Sequence, residues 1–318
     1  MPPVFAPAPH GLPYFTEGGT ETEIMFRHGF DFEHFCAFTL LDNPKAVTVL
    51  RDMYRRLLDV IAQSGGCALI GGLDYRASSD WGALIGLSSG ELTDLQLRNI
   101  AFLREVSAPY AGQIPDIRIA GILGPRGDAY DLNKTITAEE AEAYHFDQMD
   151  LYARNGVDLI WAATINNIPE AVGLSRAAVR AGLPVNIAFT LTSDHRLRSG
   201  PSLAEAVLAV DAECEPEARP DSYGVNCSHP LEFYPALEDG DWQGRMRSFR
   251  PNAASMDKIA LCKLNHLEEG DPEDLGRRMG DLAARFPQAD IWGGCCGSWE
   301  RHLALIAPAV LEARRISA

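Results

Sequence analysis

The chain has 318 residues, 46% of them apolar, which is enough for one sizeable core and too much aliphatic content for a disordered chain. A net charge of -16, spread along the whole length, opposes binding to nucleic acid or an anionic membrane, because phosphates are repelled. No stretch approaches the ~18 uninterrupted apolar residues of a membrane helix.

The first segment, MPPVFAPAPHGLP, holds four prolines before Leu12 and no basic residue. It lacks the charged start and apolar middle of an export signal, so residues 1–11 are expected to form an extended arm ahead of a single domain over 12–318. The expected compartment is the cytoplasm, where cysteines stay reduced. Short apolar, β-rich runs then alternate with longer amphipathic ones. Strands are predicted at 12–19, 67–75, 117–123, 157–165, 184–191, 223–227, 246–250 and 289–294. Most are continuously apolar, as parallel strands buried on both faces require, and MRSFR at 246–250 fits the pattern least.

The helices between them carry start and stop signals. Asn43-Pro44 opens one that runs to Gly65, with proline in the first helical position. Thr137 with Glu140, and Ser202 with Glu205, have the spacing of capping boxes. The last helix is predicted over 299–315, with arginines near its end to complement the helix dipole. Eight strand–helix units point to a closed (β/α)8 barrel, although an open doubly wound sheet shares the alternation. The barrel is favoured by even spacing, by the lack of a G-x-G-x-x-G after the first strand, and by unusual residues at strand ends.

Those ends read EGGTET after the first strand, GPRG after the third, GVNCSHP after the sixth and GGCCGS after the eighth. A barrel gathers all of them on the face where active sites lie. Of seven cysteines, Cys36, Cys67, Cys214 and Cys262 stand alone and read as small buried hydrophobes. Cys227, Cys295 and Cys296 instead sit at the ends of strands six and eight, close in space in a barrel, with glycines flanking the vicinal pair. Three thiolates leave a tetrahedral zinc with one open position, and a thiol entering there becomes a nucleophile at neutral pH. The bland alternatives are unrelated buried thiols, or a closed structural zinc site with His229 as fourth ligand.

EGGTETEIMFRHG, GVNCSHP and GGCCGS together resemble the homocysteine S-methyltransferase family, over nearly the whole chain. The resemblance implies a barrel enzyme that binds Zn2+ through Cys227, Cys295 and Cys296. It implies that Glu17, Gly18, Gly19 and Asn226 line the pocket of a small thiol acceptor. Methyl transfer from a small onium donor, S-methylmethionine or S-adenosylmethionine, is then expected, with no group catalytic beyond the activated substrate thiol. Two residues depart from the family's pattern. Glu17 stands where aspartate is usual, and Ala163 stands where homocysteine enzymes place a glutamate that holds the substrate ammonium. Thr164, Asn166 or Asn167 would then offer neutral hydrogen bonds, or the thiol lacks an amino group. Ala163 also keeps open a non-catalytic thiol-binding barrel. Further substrate-side candidates are Trp81, Trp161, Trp292 and Trp299 as faces for a sulfonium, Asp194 and His195 after strand five, and the GPRG turn as a phosphate cradle.

Overall fold

A computed structural model describes residues 3–131, 136–256, 258–261 and 263–317. Eight parallel strands close into one barrel in chain order: β1 Tyr14–Phe15, β2 Cys67–Gly71, β3 Ile117–Leu123, β4 Leu159–Ile165, β5 Val185–Phe189, β6 Ser222–Asn226, β7 Met246–Arg250 and β8 Ile291–Trp292. The helices are α1 Thr20–Phe26, α2 Pro44–Ser64, α3 Ser79–Leu84, α4 Ser89–Ser107, α5 Ala138–Arg154, α6 Ile168–Ala181, α7 Leu203–Glu213, α8 Pro230–Phe233, α9 Lys258–Leu261, α10 Pro272–Arg285 and α11 Glu300–Ser317. Every predicted strand exists, and MRSFR is β7 at the predicted bounds.

Five strands are shorter than their predicted runs, β1, β2 and β8 most consequentially. β1 stops at Phe15 and β8 at Trp292, so the glycine-rich segments that follow them lie in loops, not in the sheet. β2 ends at Gly71, and a short 3-10 turn over Asp74–Arg76 follows. Cys227 likewise falls one residue beyond β6. The sixth helical position is reduced to the four-residue α8 and two 3-10 turns.

Local signals behave as their chemistry requires. The Asn43 side chain accepts from the Lys45 and Ala46 amides, and α2 ends on Gly65 at φ +79°. Both predicted capping boxes form, and Ser88 with Glu91 makes a third on α4. Apolar side chains fill two layers. One lies between barrel and helices and includes Tyr54, Phe189, Phe249 and Trp292. The other fills the barrel interior with Tyr14, Leu69, Ala120, Leu159, Trp161 and Ile291.

The arm closes the bottom of that interior. Phe5 is buried against the Tyr14 ring, with centroids 5.1 Å apart, and its N–H donates to Asp221 Oδ1 at 3.2 Å. A 3-10 turn over Pro9–Gly11 leads into β1. Cys36, Cys67 and Cys214 are buried free thiols, and burial pushes Cys36 and Cys214 up to about 11, which keeps them protonated and inert. Cys262 lies outside the described residues. No helix among the described residues is long and apolar enough to cross a membrane.

Candidate active site

The three cysteines meet at the C-terminal mouth of the barrel, their sulfurs all within 4.8 Å of one another. Cys227 and Cys295 are joined as a disulfide in this structure, and Cys296 lies outside that bond. The two loops that carry them are clamped by backbone from the end of β7. The Cys295 amide donates to the Pro251 carbonyl at 2.7 Å, and the Cys227 amide to the Arg250 carbonyl at 3.2 Å. The Ala253 amide donates to the Cys296 carbonyl at 3.0 Å, and Asn252 Nδ2 to the Cys227 carbonyl at 3.1 Å. Cys227 itself adopts φ +50°, an uncommon region for a residue with a Cβ, and one that clusters at functional sites.

The EGG turn after β1 packs directly on this loop. A Cβ on Gly19 would lie 2.8 Å from the Cys295 carbonyl oxygen and 2.9 Å from Cys296 Cα, and one on Gly18 would lie 2.3 Å from the Ser298 carbonyl oxygen. Both contacts are with backbone, so only glycine permits the approach. The residues between the turn and the cysteines therefore share one cavity of about 420 Å³, lined by Glu17, Gly18, Gly19, Ala163, Thr164, Asn226 and all three cysteines.

Asn226 links two parts of this wall. Its Oδ1 accepts from the Thr164 amide at 2.8 Å, which fixes the side-chain amide so that Nδ2 donates to Cys295 Sγ at 3.9 Å. That orientation suits a thiolate, since an N–H donor stabilises negative sulfur. Thr164 sits at φ +56° in a bulge where the β4–β5 register shifts between Ala162 and Ile165. A β-branched residue rarely takes this conformation. It is held by the Asn226 bond and by a hydrogen bond between its hydroxyl and Tyr75.

Glu17 does not face the cavity as a free acid. Its Oε2 accepts from the Gly71 amide at 2.9 Å and its Oε1 from Arg250 Nη2 at 2.7 Å. Arg250 is buried, also donates to the Gly294 carbonyl, and lies 3.9 Å over the Trp161 ring. Glu21, on the first turn of α1, lines the same cavity. Burial, with the negative charge of Glu17 adding to it, pushes the Glu21 carboxyl up to about 7.

Other expected candidates have structural roles. His229 is the N-cap of α8, with Nδ1 accepting from the Leu231 amide, and burial lowers it to about 4. Among the described residues the metal-capable group contains the three cysteines and no fourth ligand. Asn167 caps α6, and Asn166 Nδ2 holds the loop after β3 through the Ala129 and Asp131 carbonyls. The Arg126 amide of GPRG donates to Glu170, so that turn is closed on protein. His195 bonds the Glu232 carbonyl, and neither it nor Asp194 lines the cavity. Of the four candidate tryptophans only Trp161 lines it, with its face taken by Arg250. Trp292 is core, and Trp81 and Trp299 stack under Arg76 and Arg27. Arg250 and Tyr75 are site residues that no motif signalled, and Glu21 lies within EGGTET without standing out there.

The chain is a TIM barrel with a cluster of three cysteines at the ends of strands six and eight, the face on which barrel enzymes carry their active sites. Residues 14–310 match the homocysteine S-methyltransferase family, and the chain belongs to it. Homocysteine S-methyltransferase 4 of Zea mays is 25% identical over 321 residues, spanning 93% of this chain and 89% of the maize protein. Among solved structures, the oxidized form of the homocysteine methyltransferase MmuM from Escherichia coli superposes with a TM-score of 0.72 at 20% identity, covering 95% of this chain and 96% of that one. Its metallated form gives 0.69 at 20% identity, covering 93% and 95%. At this identity the structural likeness establishes the shared barrel.

Proposed function

We propose that this enzyme transfers a methyl group from a small onium donor, S-methylmethionine or S-adenosylmethionine, to homocysteine or a closely related small thiol, with zinc held by Cys227, Cys295 and Cys296. The observation that carries this reading is the three-sulfur cluster, within 4.8 Å and lacking a fourth protein ligand among the described residues, at the floor of a 420 Å³ cavity. Soft sulfur donors fit zinc and not magnesium or calcium. Cys227, Cys295 and Cys296 would hold the zinc, and its open fourth position would supply activation of a thiol by lowering the thiol's pKa. The disulfide between Cys227 and Cys295 removes two of the three donors, so zinc binding needs the reduced chain. MmuM, solved in an oxidized and a metallated form, is compatible with one site having both states.

The chain's own residues supply position and a dry wall. The Glu17–Gly18–Gly19 turn sets the depth of the pocket beside the cysteines, and Asn226 aims its amide N–H at the sulfur cluster. Ala163 and Thr164 face the acceptor from β4, while Phe35, Tyr75 and Trp161 cover apolar parts of the substrates. The volume is within the range of cavities that hold small ligands. In the reaction, acceptor sulfur attacks the methyl carbon, the donor's sulfur–methyl bond breaks with its electron pair, and the thiol proton passes to solvent. A screen of donors against acceptors on reduced, zinc-loaded protein, read by mass spectrometry, should yield S-methylated thiol from at least one onium donor. Cys296→Ala should abolish that product while the barrel stays folded. Turnover by metal-free protein at the full rate would end this reading.

A further inference from the structure

The family's contact to the substrate ammonium is missing on two counts in this chain. Ala163 provides no carboxylate, and Glu17 is already bound to Arg250 and the Gly71 amide. The remaining charged walls of the cavity are also committed. Asp128 pairs with Arg76, and Glu268 faces the exposed His266. Glu21 is the exception. No side chain among the described residues forms a hydrogen bond or ion pair with its carboxylate.

We infer that Glu21 is the specificity-determining residue that receives the acceptor's ammonium group, a carboxylate relocated from strand β4 to the first turn of α1. The inference rests on the thiol-acceptor reading above. Glu21 follows the Gly18-Gly19 turn that packs on Cys295 and Cys296, so it lines the cavity on the side where the acceptor sulfur must end. A substrate cation placed there gives the buried carboxylate an ion-pair partner. The upward shift of the Glu21 carboxyl agrees with this placement: burial and the charge of Glu17 raise it, and the opposing pull of Arg250 does not cancel them. Arg250 is committed chiefly to Glu17, which together with two backbone carbonyls takes its Nε and Nη2 donors.

The test compares homocysteine with 4-mercaptobutanoate, the same thiol without its amine, in wild type, Glu21→Gln and Glu21→Asp. Glu21→Gln should weaken calorimetric binding of homocysteine and raise its KM by about tenfold to a hundredfold, with little change for 4-mercaptobutanoate and partial recovery in Glu21→Asp. A second pair, methionine and 4-(methylthio)butanoate, has no thiol to ionise and reads the ammonium contact without zinc. The same selective loss is expected there. Equal effects on both members of each pair, or a change in melting temperature alone, would assign Glu21 to the start of helix α1 and overturn the inference. Failure of the wild type to methylate any thiol, with selective methionine binding intact, would instead strike the methyl-transfer reading and leave the ammonium contact standing.

Discussion

The two ends of this barrel are built from the same eight strands and treat charge in opposite ways. At the bottom, polar groups are paired off and covered. Tyr14 donates to Asp116, Arg118 bridges Asp116 and Asp158, and Arg247 pairs with Asp221 and Asp290, with the N-terminal arm tied to Asp221 by Phe5. At the mouth, Cys227 and Thr164 hold left-handed backbone, three sulfurs crowd together, and Glu21 has no side-chain hydrogen-bond partner among the described residues. Stability is invested at one end, and at the other the chain keeps strained and unsatisfied groups that a substrate or metal can satisfy.

The contrast can be broken most strongly at Arg250, a buried cation that ties β7 to the Glu17 turn and the Gly294 carbonyl. Its side chain is 6% exposed against 8% for Glu17. Arg250→Met strands the Glu17 carboxylate and should cost about 3–5 kcal/mol in denaturant unfolding. A cost below about 1 kcal/mol would show that the Arg250–Glu17 pair does not hold the mouth together. Asn226→Ala comes next. It removes the N–H aimed at Cys295 and the bond that steadies Thr164, and should lower zinc affinity or kcat/KM by about tenfold to a hundredfold. An unchanged zinc affinity and rate would show that the amide only fills space.

The smallest effect belongs to the bottom. Arg118 is 38% exposed, so its ion pairs are screened by water, and Arg118→Met should cost about 0–1 kcal/mol with kcat/KM unchanged. A loss of activity in that variant would erase the distinction between the two ends.

The fold was largely legible because its signals are local. Continuous apolar runs, an Asn-Pro helix start and two capping boxes each state their structure within a few residues, and the barrel follows from their repetition. The cysteine site was legible for a second reason, since a barrel brings strand ends six and eight together whatever their separation in sequence. What escaped depends on pairings across the barrel. Arg250 lies in MRSFR, the least regular strand, and its partner Glu17 is 233 positions away. The bulge that turns Ala163 and Thr164 is a register shift between β4 and β5, which no periodicity in either strand records. Glu21 reads in sequence as one more acid at a helix start. Only the commitment of Glu17 elsewhere makes it stand out.

The central claim, that the three cysteines hold a zinc ion to which the acceptor thiol is added, is tested most directly by zinc X-ray absorption on the reduced protein before and after homocysteine. About one zinc per chain with three sulfur neighbours and one lighter atom is expected at first, changing to four sulfurs when the thiol is present. A zinc shell without three sulfurs, or one that homocysteine leaves unchanged, would contradict it.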